Sequence, residues 1–149
     1  MKTARINTMA RTVTIDTYDE QMVLSNVTNI EMEIVGRNAK AFHMTEHLLK
    51  KDGVVITTGD RRFWDMTDPW VIEYLSNKVI KLLKECGFGY LKVDYNDNIG
   101  IGCDGAESLG EGLRTRVLGS QAFFRKIKAE IPDLVIENCS SGGHRLEPS

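Results

Sequence analysis

From Ile30 onward the apolar positions recur in runs whose period changes several times, and each change marks a boundary between elements. Ile30 to Val35 alternates apolar and acidic residues with the two-residue period of a strand, and Gly36 ends it. Arg37 to Lys51 reads as a helix, with Phe42, Leu48 and Leu49 near one face, lysines in the last turn and Gly53 after them. Val54 to Thr57 and Arg62 to Met66 are short strand candidates on either side of the turn Thr58-Gly59-Asp60. The clearest helix comes next. Asp68 is a good N-cap, Pro69 suits the first helical position, and Gly87 stands where a left-handed terminal residue belongs. Val71, Leu75, Val79, Leu82, Leu83 and Cys86 recur between them at helical spacing. Phe88 to Tyr95 is a strand, and a glycine-rich loop runs from Asn96 to Gly112. A second long helix covers Leu113 to Glu130, with Leu113, Val117, Phe124 and Ile127 on one side and Pro132 and Asp133 stopping it. Leu134 to Cys139 is a last strand, leading into Ser140-Ser141-Gly142-Gly143. Before Ile30 the alternation of Val13, Ile15 and Tyr18 is weak, and residues 1–29 are left unassigned.

Strands rich in β-branched residues, joined by long helices, predict right-handed βαβ units and a parallel sheet, hence an α/β fold. No dinucleotide fingerprint follows a strand, and the polar residues gather at the strands' carboxyl ends. Both features favour a TIM (β/α)8 barrel over a doubly wound sheet. A whole barrel takes about 250 residues, so 30–149 is expected to be a partial barrel of about four consecutive β/α units.

Composition removes several function classes. With 42% apolar and 27% charged residues the chain can build a core, and a net charge of -2 gives no general attraction to nucleic acid or anionic membranes. No apolar run is long enough to span a bilayer. The opening residues, with Lys2, Arg5 and Arg11, lack the apolar centre of a secretory signal. Cys86, Cys103 and Cys139 contain no C-x-x-C pair, which argues against a disulfide framework or a zinc knuckle. The expectation is a cytoplasmic protein without a metal or other cofactor and without a nucleic-acid or membrane partner.

The chemistry concentrates in two places. In Gly89-Tyr90-Leu91-Lys92-Val93-Asp94-Tyr95-Asn96, strand alternation puts Lys92, Asp94 and Asn96 on one face and Leu91, Val93 and Tyr95 on the other. Three polar residues on one face of a buried strand are costly unless they line a wet cavity or bind one another. At the carboxyl end of a barrel strand that cavity is the active site. An ammonium two residues from a carboxylate favours its charged form, as a nucleophile requires. The plainer alternative is a Lys–Asp pair that stabilises the strand end. The second place is Glu137-Asn138-Cys139-Ser140-Ser141-Gly142-Gly143-His144-Arg145, where two glycines permit close backbone approach to a ligand.

Together these two runs resemble glycoside hydrolase family 36, the melibiase-type α-galactosidases, which carry a K-x-D-x-N strand followed by a C-S-x-G-G-x-R strand. Upstream, Glu31-Met32-Glu33 is similar to the family's F-E-x-E strand, and Trp64-Asp65-Met66-Thr67-Asp68-Pro69 is similar to its L-D-L-S-x-P strand and helix start. The likeness covers Ile30 to Ser149. It implies hydrolysis of terminal α-galactosyl residues of oligosaccharides by a retaining double displacement. Asp94 falls on the family's nucleophile. Lys92 and Asn96 would hydrogen-bond sugar hydroxyls, and Cys139, Gly142 and Arg145 would shape the sugar subsite. The family also uses an Arg before its L-D-L-S strand. Ungapped counting puts Gly59 there, and Arg61 is the substitute. The family's acid/base Asp lies on the strand after C-S-x-G-G-x-R, beyond Ser149. Glu137 and Glu147 do not match its position, so the chain is expected to be an inactive fragment. Val93 and Tyr95 stand where many members have Trp and Met, and the loop Ile99 to Gly105 is unusual. The reaction class is therefore better defined than the sugar.

Two other classes compete. His43-Met44-Thr45-Glu46-His47 matches the H-x-x-E-H zinc-peptidase pattern, which needs both histidines on one helical face. Asp94 to Gly105 fails as a calcium loop, since its glycine is one place late and no Glu stands twelfth. A truncated, non-catalytic product is the last alternative, and its open strand edges would favour a homo-oligomer.

Overall fold

A computed structural model describes residues 3–7, 12–16, 21–25, 27–30, 32–94 and 98–139. Strands β1 (Thr3–Asn7), β2 (Thr12–Asp16) and β3 (Gln21–Ser25) form an antiparallel meander within the stretch that the sequence pattern left unassigned. β4 (Val27–Asn29) follows. The expected single strand Ile30 to Val35 is instead divided by a turn at Met32 and Glu33. These consecutive residues are both buried, which an alternating strand with one wet face does not allow. After the turn comes β5 (Ile34–Gly36).

The expected helix over Arg37 to Lys51 does not form. Two short 3-10 turns, Lys40–His43 and Thr45–His47, are separated by Met44 at φ -85 and ψ 64. Leu48 is then extended and leads into β6 (Lys50–Lys51). Leu48 packs into the main core while Leu49 packs with Phe63 and Cys103 in a second cluster. Neighbouring side chains aimed at opposite cores demand extended backbone, and that requirement overrides the helical spacing.

β6 pairs with β7 (Val54–Val55), and β8 (Thr57–Thr58) turns at Gly59 and Asp60 into β9 (Arg61–Phe63). Gly59 takes φ +58, the left-handed conformation that a two-residue hairpin turn requires. β9 also pairs antiparallel with β5. The strand candidate Arg62 to Met66 thus lies in an antiparallel hairpin as far as Phe63, and Trp64 continues it with an antiparallel bridge to Leu48.

The helix expected after Asp68 is present as α1 (Pro69–Leu75), a π turn Ser76–Ile80 and α2 (Lys81–Glu85). Val71, Leu75, Val79, Ile80 and Leu83 are buried, whereas Leu82 is exposed. Four-residue steps drift around an α-helix, and the wide π turn takes up that drift, so buried positions walk at i+4. Asp68 accepts a hydrogen bond from the Trp70 amide at 2.8 Å. Burial raises the Asp68 carboxyl pKa, but the hydrogen bonds from His47 and the Trp70 amide outweigh it, and the net position is below the usual 3.8. Asp68→Ala is expected to cost about 1 kcal/mol in thermal melts near neutral pH. A depressed carboxylate pKa stabilises above its unfolded value, so the difference from wild type should shrink as pH falls below 3.8.

β10 (Tyr90–Val93), α3 (Leu109–Glu130) and β11 (Val135–Asn138) complete the described chain. β10 is parallel to both β11 and β4, giving a three-stranded parallel sheet in the order β11-β10-β4. Leu91, Val93, Phe123, Ile127 and Leu134 bury the sheet against the helices. α3 begins at Leu109, earlier than expected, capped by Ser108. It packs on Gly112, Phe123 and Ile127, and Val117 is exposed. No helix among the described residues is long and apolar enough to cross a membrane.

Candidate active site

β10 presents two chemically different faces. Leu91 and Val93 are fully buried in the apolar core, which fixes the strand and turns Tyr90 and Lys92 to the other side, with Asp94 just beyond the strand end. Parallel pairing sets Lys92 opposite Glu137 and Val93 opposite Asn138. The Cys139 amide donates to the Val93 carbonyl at 2.9 Å, so Cys139 lies where the two carboxyl ends finish together.

The Lys92 ammonium stands 3.6 Å from Asp94 Oδ2 and 3.6 Å from Glu137 Oε1. Tyr90 donates its hydroxyl proton to Glu137 Oε2 at 2.5 Å. The result is one row of polar contacts, Tyr90 to Glu137 to Lys92 to Asp94, along the sheet face. Asp94 Oδ1 is buried with no hydrogen-bond partner among the described residues. A carboxylate oxygen with no neighbour to accept from is costly to bury, unless something that binds there supplies the contact. Glu137 above all, then Cys139 and Asp94, raise the Lys92 pKa against the opposing effect of burial. A raised amine pKa means that the ammonium persists to higher pH than usual. Burial and then the Glu137 hydrogen bond push Tyr90 up to about 12, so it remains a proton donor at neutral pH.

Of the residues singled out in the sequence, Lys92, Asp94 and Cys139 come together here. Asn96, Gly142 and Arg145 lie outside the described residues. Arg61 is on β9 of the antiparallel sheet, opposite Gly36 and Thr58, with its guanidinium 3.9 Å from Asp60. Asp65 pairs with Arg116 at 3.0 Å and accepts from the Thr67 amide, while Asp68 caps α1. Both acids in that run serve the fold. Glu137 is the residue that the sequence reading passed over. Its position does not match the family's acid/base, but alternation places it on the same face as Cys139.

The H-x-x-E-H reading loses its geometry, because Met44 breaks the helical register between His43 and His47. His47 Nδ1 is 2.7 Å from Asp68 Oδ2, and its ring stacks on Trp70 with centroids 3.9 Å apart. Among the described residues no group of three or more His, Cys, Asp or Glu side chains could hold a metal.

Comparison with known proteins bears on this face. The sequence model of the melibiase family matches residues 15–149. Alpha-galactosidase 2 of Pediococcus pentosaceus is 28% identical over 123 residues, 79% of this chain and 17% of that protein. The crystal structure of the GH36 α-galactosidase AgaA from Geobacillus stearothermophilus, in complex with stachyose, superposes with a TM-score of 0.70 at 22% identity. It covers 82% of this chain and 18% of that one. The α-galactosidase from Lactobacillus brevis gives a TM-score of 0.67 at 20% identity, covering 81% and 17%. The chain thus spans under a fifth of the length of these relatives. A match over nearly the whole chain, with Lys92, Asp94 and Cys139 at adjacent strand ends, makes this protein a member of the melibiase family, glycoside hydrolase family 36.

Proposed function

We propose that this chain carries the nucleophile half of a retaining α-galactosidase site, built on part of a (β/α)8 barrel. Asp94 attacks the anomeric carbon of a terminal α-galactosyl residue, the glycosidic oxygen leaves with the bonding pair and takes up a proton from a general acid, and a covalent galactosyl-enzyme forms. Lys92 donates to sugar hydroxyls beside it. Asn96, Cys139, Gly142 and Arg145 contribute the rest of the sugar subsite, with Arg61 as a further contact. The substrate class is an α-galactoside oligosaccharide, such as the stachyose bound to the Geobacillus stearothermophilus relative.

The observation that carries this reading is the buried Asp94 Oδ1, without a hydrogen-bond partner among the described residues, beside an ammonium at the carboxyl end of a parallel strand. A Lys–Asp pair that only stabilised the strand end would have both carboxylate oxygens satisfied or wet. The carboxylate Glu137 is engaged by Tyr90 and Lys92 and is not assigned the acid/base role.

A galactose-configured iminosugar is expected to bind the chain at least about tenfold more tightly than its glucose-configured epimer, since buried donors and acceptors discriminate a misplaced hydroxyl. Calorimetric titration measures this, and equal affinity for both epimers would count against the assignment. With no residue assigned to protonate the leaving oxygen, the 149-residue chain is expected to release no phenol from an aryl α-galactoside. Sustained release abolished by Asp94→Asn would show that an acid/base is present after all.

A further inference from the structure

We propose that Glu137, oriented by Tyr90, is a positioning residue that holds the Lys92 ammonium away from full collapse onto Asp94. The inference rests on the nucleophile reading of Asp94 given above. The parallel register puts Glu137 directly across from Lys92, on the face that also carries Tyr90 and leads to Asp94. Tyr90 occupies Glu137 Oε2, which leaves Oε1 for the ammonium. Lys92 stands at 3.6 Å from each carboxylate, divided equally between the two.

A lysine side chain is flexible and its ammonium follows the nearest negative charge. If Asp94 were the sole carboxylate in reach, the ammonium would close on it and hydrogen-bond the lone pair that must attack carbon. A second carboxylate across the ladder draws the cation back. Asp94 keeps an electrostatic partner without losing its reactive oxygen, and a Lys92 proton stays available to a sugar hydroxyl. Tyr90 acts one step further out by preventing rotation of the Glu137 carboxylate.

Among the described residues, the charged and titratable groups facing Lys92 are Glu137 and Cys139 on the β11 side and Asp94 just beyond the end of β10, with Tyr90 reaching it through Glu137. Two readouts on the 149-residue chain test the proposal. The first is transfer of galactose from α-galactosyl fluoride to Asp94, followed by mass spectrometry. The second is competitive acetylation of Lys92 across pH, which involves no sugar. Glu137→Gln should slow galactosyl transfer about tenfold and move the Lys92 titration to lower pH, with the alkaline limb of the transfer rate moving in step. Glu137→Asp should recover part of both effects, and Tyr90→Phe should give a smaller loss in the same direction. A variant that merely loosened the fold would lose rate without moving the Lys92 titration.

An unmoved Lys92 titration in folded Glu137→Gln overturns the proposal, and so does a moved titration with an unchanged transfer rate. Absence of galactosyl transfer to wild-type Asp94 would overturn the nucleophile reading and, with it, this role for Glu137. The acetylation data would still show separately whether Glu137 holds Lys92.

Discussion

Asp94→Asn is expected to abolish galactosyl transfer from α-galactosyl fluoride to the protein, lowering its rate by at least about 10³-fold. Fluoride departs with the bonding electron pair and needs no proton from a general acid, so the reaction isolates the attacking group from any acid/base. The amide of Asn has nearly the shape of the carboxylate but no nucleophilic oxygen. Its cost to the fold should be small. Leu91 and Val93, both fully buried, fix β10 whether or not Asp94 is charged. The pair lost is a 3.6 Å contact to a lysine whose side chain is 35% exposed, so the melting temperature should hardly move. Loss of transfer with an unchanged melt separates chemistry from stability.

The second large effect concerns the fold that positions this site. Gly112→Val is expected to destabilise the chain by about 3 kcal/mol. A Cβ at Gly112 would lie 2.0 Å from the Cys103 carbonyl oxygen and 3.0 Å from its carbon. Backbone cannot yield as a flexible side chain does, so α3 would have to lift from the loop before it. Gly119 repeats the contact two turns later, where a Cβ would lie 2.5 Å from the Met66 carbonyl oxygen. The buried Cys103 would be pulled from Leu49 and Phe63. Gly110→Ala is the control, since a Cβ there meets nothing within 4 Å. It should be neutral or stabilise by up to about 1 kcal/mol through helix propensity. A urea midpoint well below wild type for Gly112→Val, with Gly110→Ala at or above wild type, would establish that close approach, not helix composition, decides the glycines.

These glycines also show what the sequence does not display. A glycine that lets two backbones touch looks the same in sequence as one that relaxes a loop, and the expected stripe through Val117 missed the packed edge of α3. The helix after Asp68 was legible because cap, first-turn proline, apolar spacing and terminal glycine all agree. Arg37 to Lys51 failed because its leucine pair answers to two cores, and tertiary packing overruled spacing. The face carrying Lys92 and Asp94 was readable from alternation alone, since that periodicity is local. Glu137 was not, because its part depends on which residue of β11 stands across from Lys92. Register between strands over forty residues apart is set by the whole sheet. The turn Thr58-Gly59-Asp60 marks a hairpin in the sequence, whereas the likeness of Trp64 to Pro69 to a family strand pointed to the parallel sheet. The second antiparallel partner of β9, β5, became visible only with the turn at Met32 and Glu33.

Tandem mass spectrometry of the chain after reaction with α-galactosyl fluoride tests the whole account most directly. One galactosyl group should be found on the carboxylate of Asp94, and none should be found in the Asp94→Asn protein. A galactosyl group on Glu137 or another acid, or folded wild-type protein that takes up none, would contradict it.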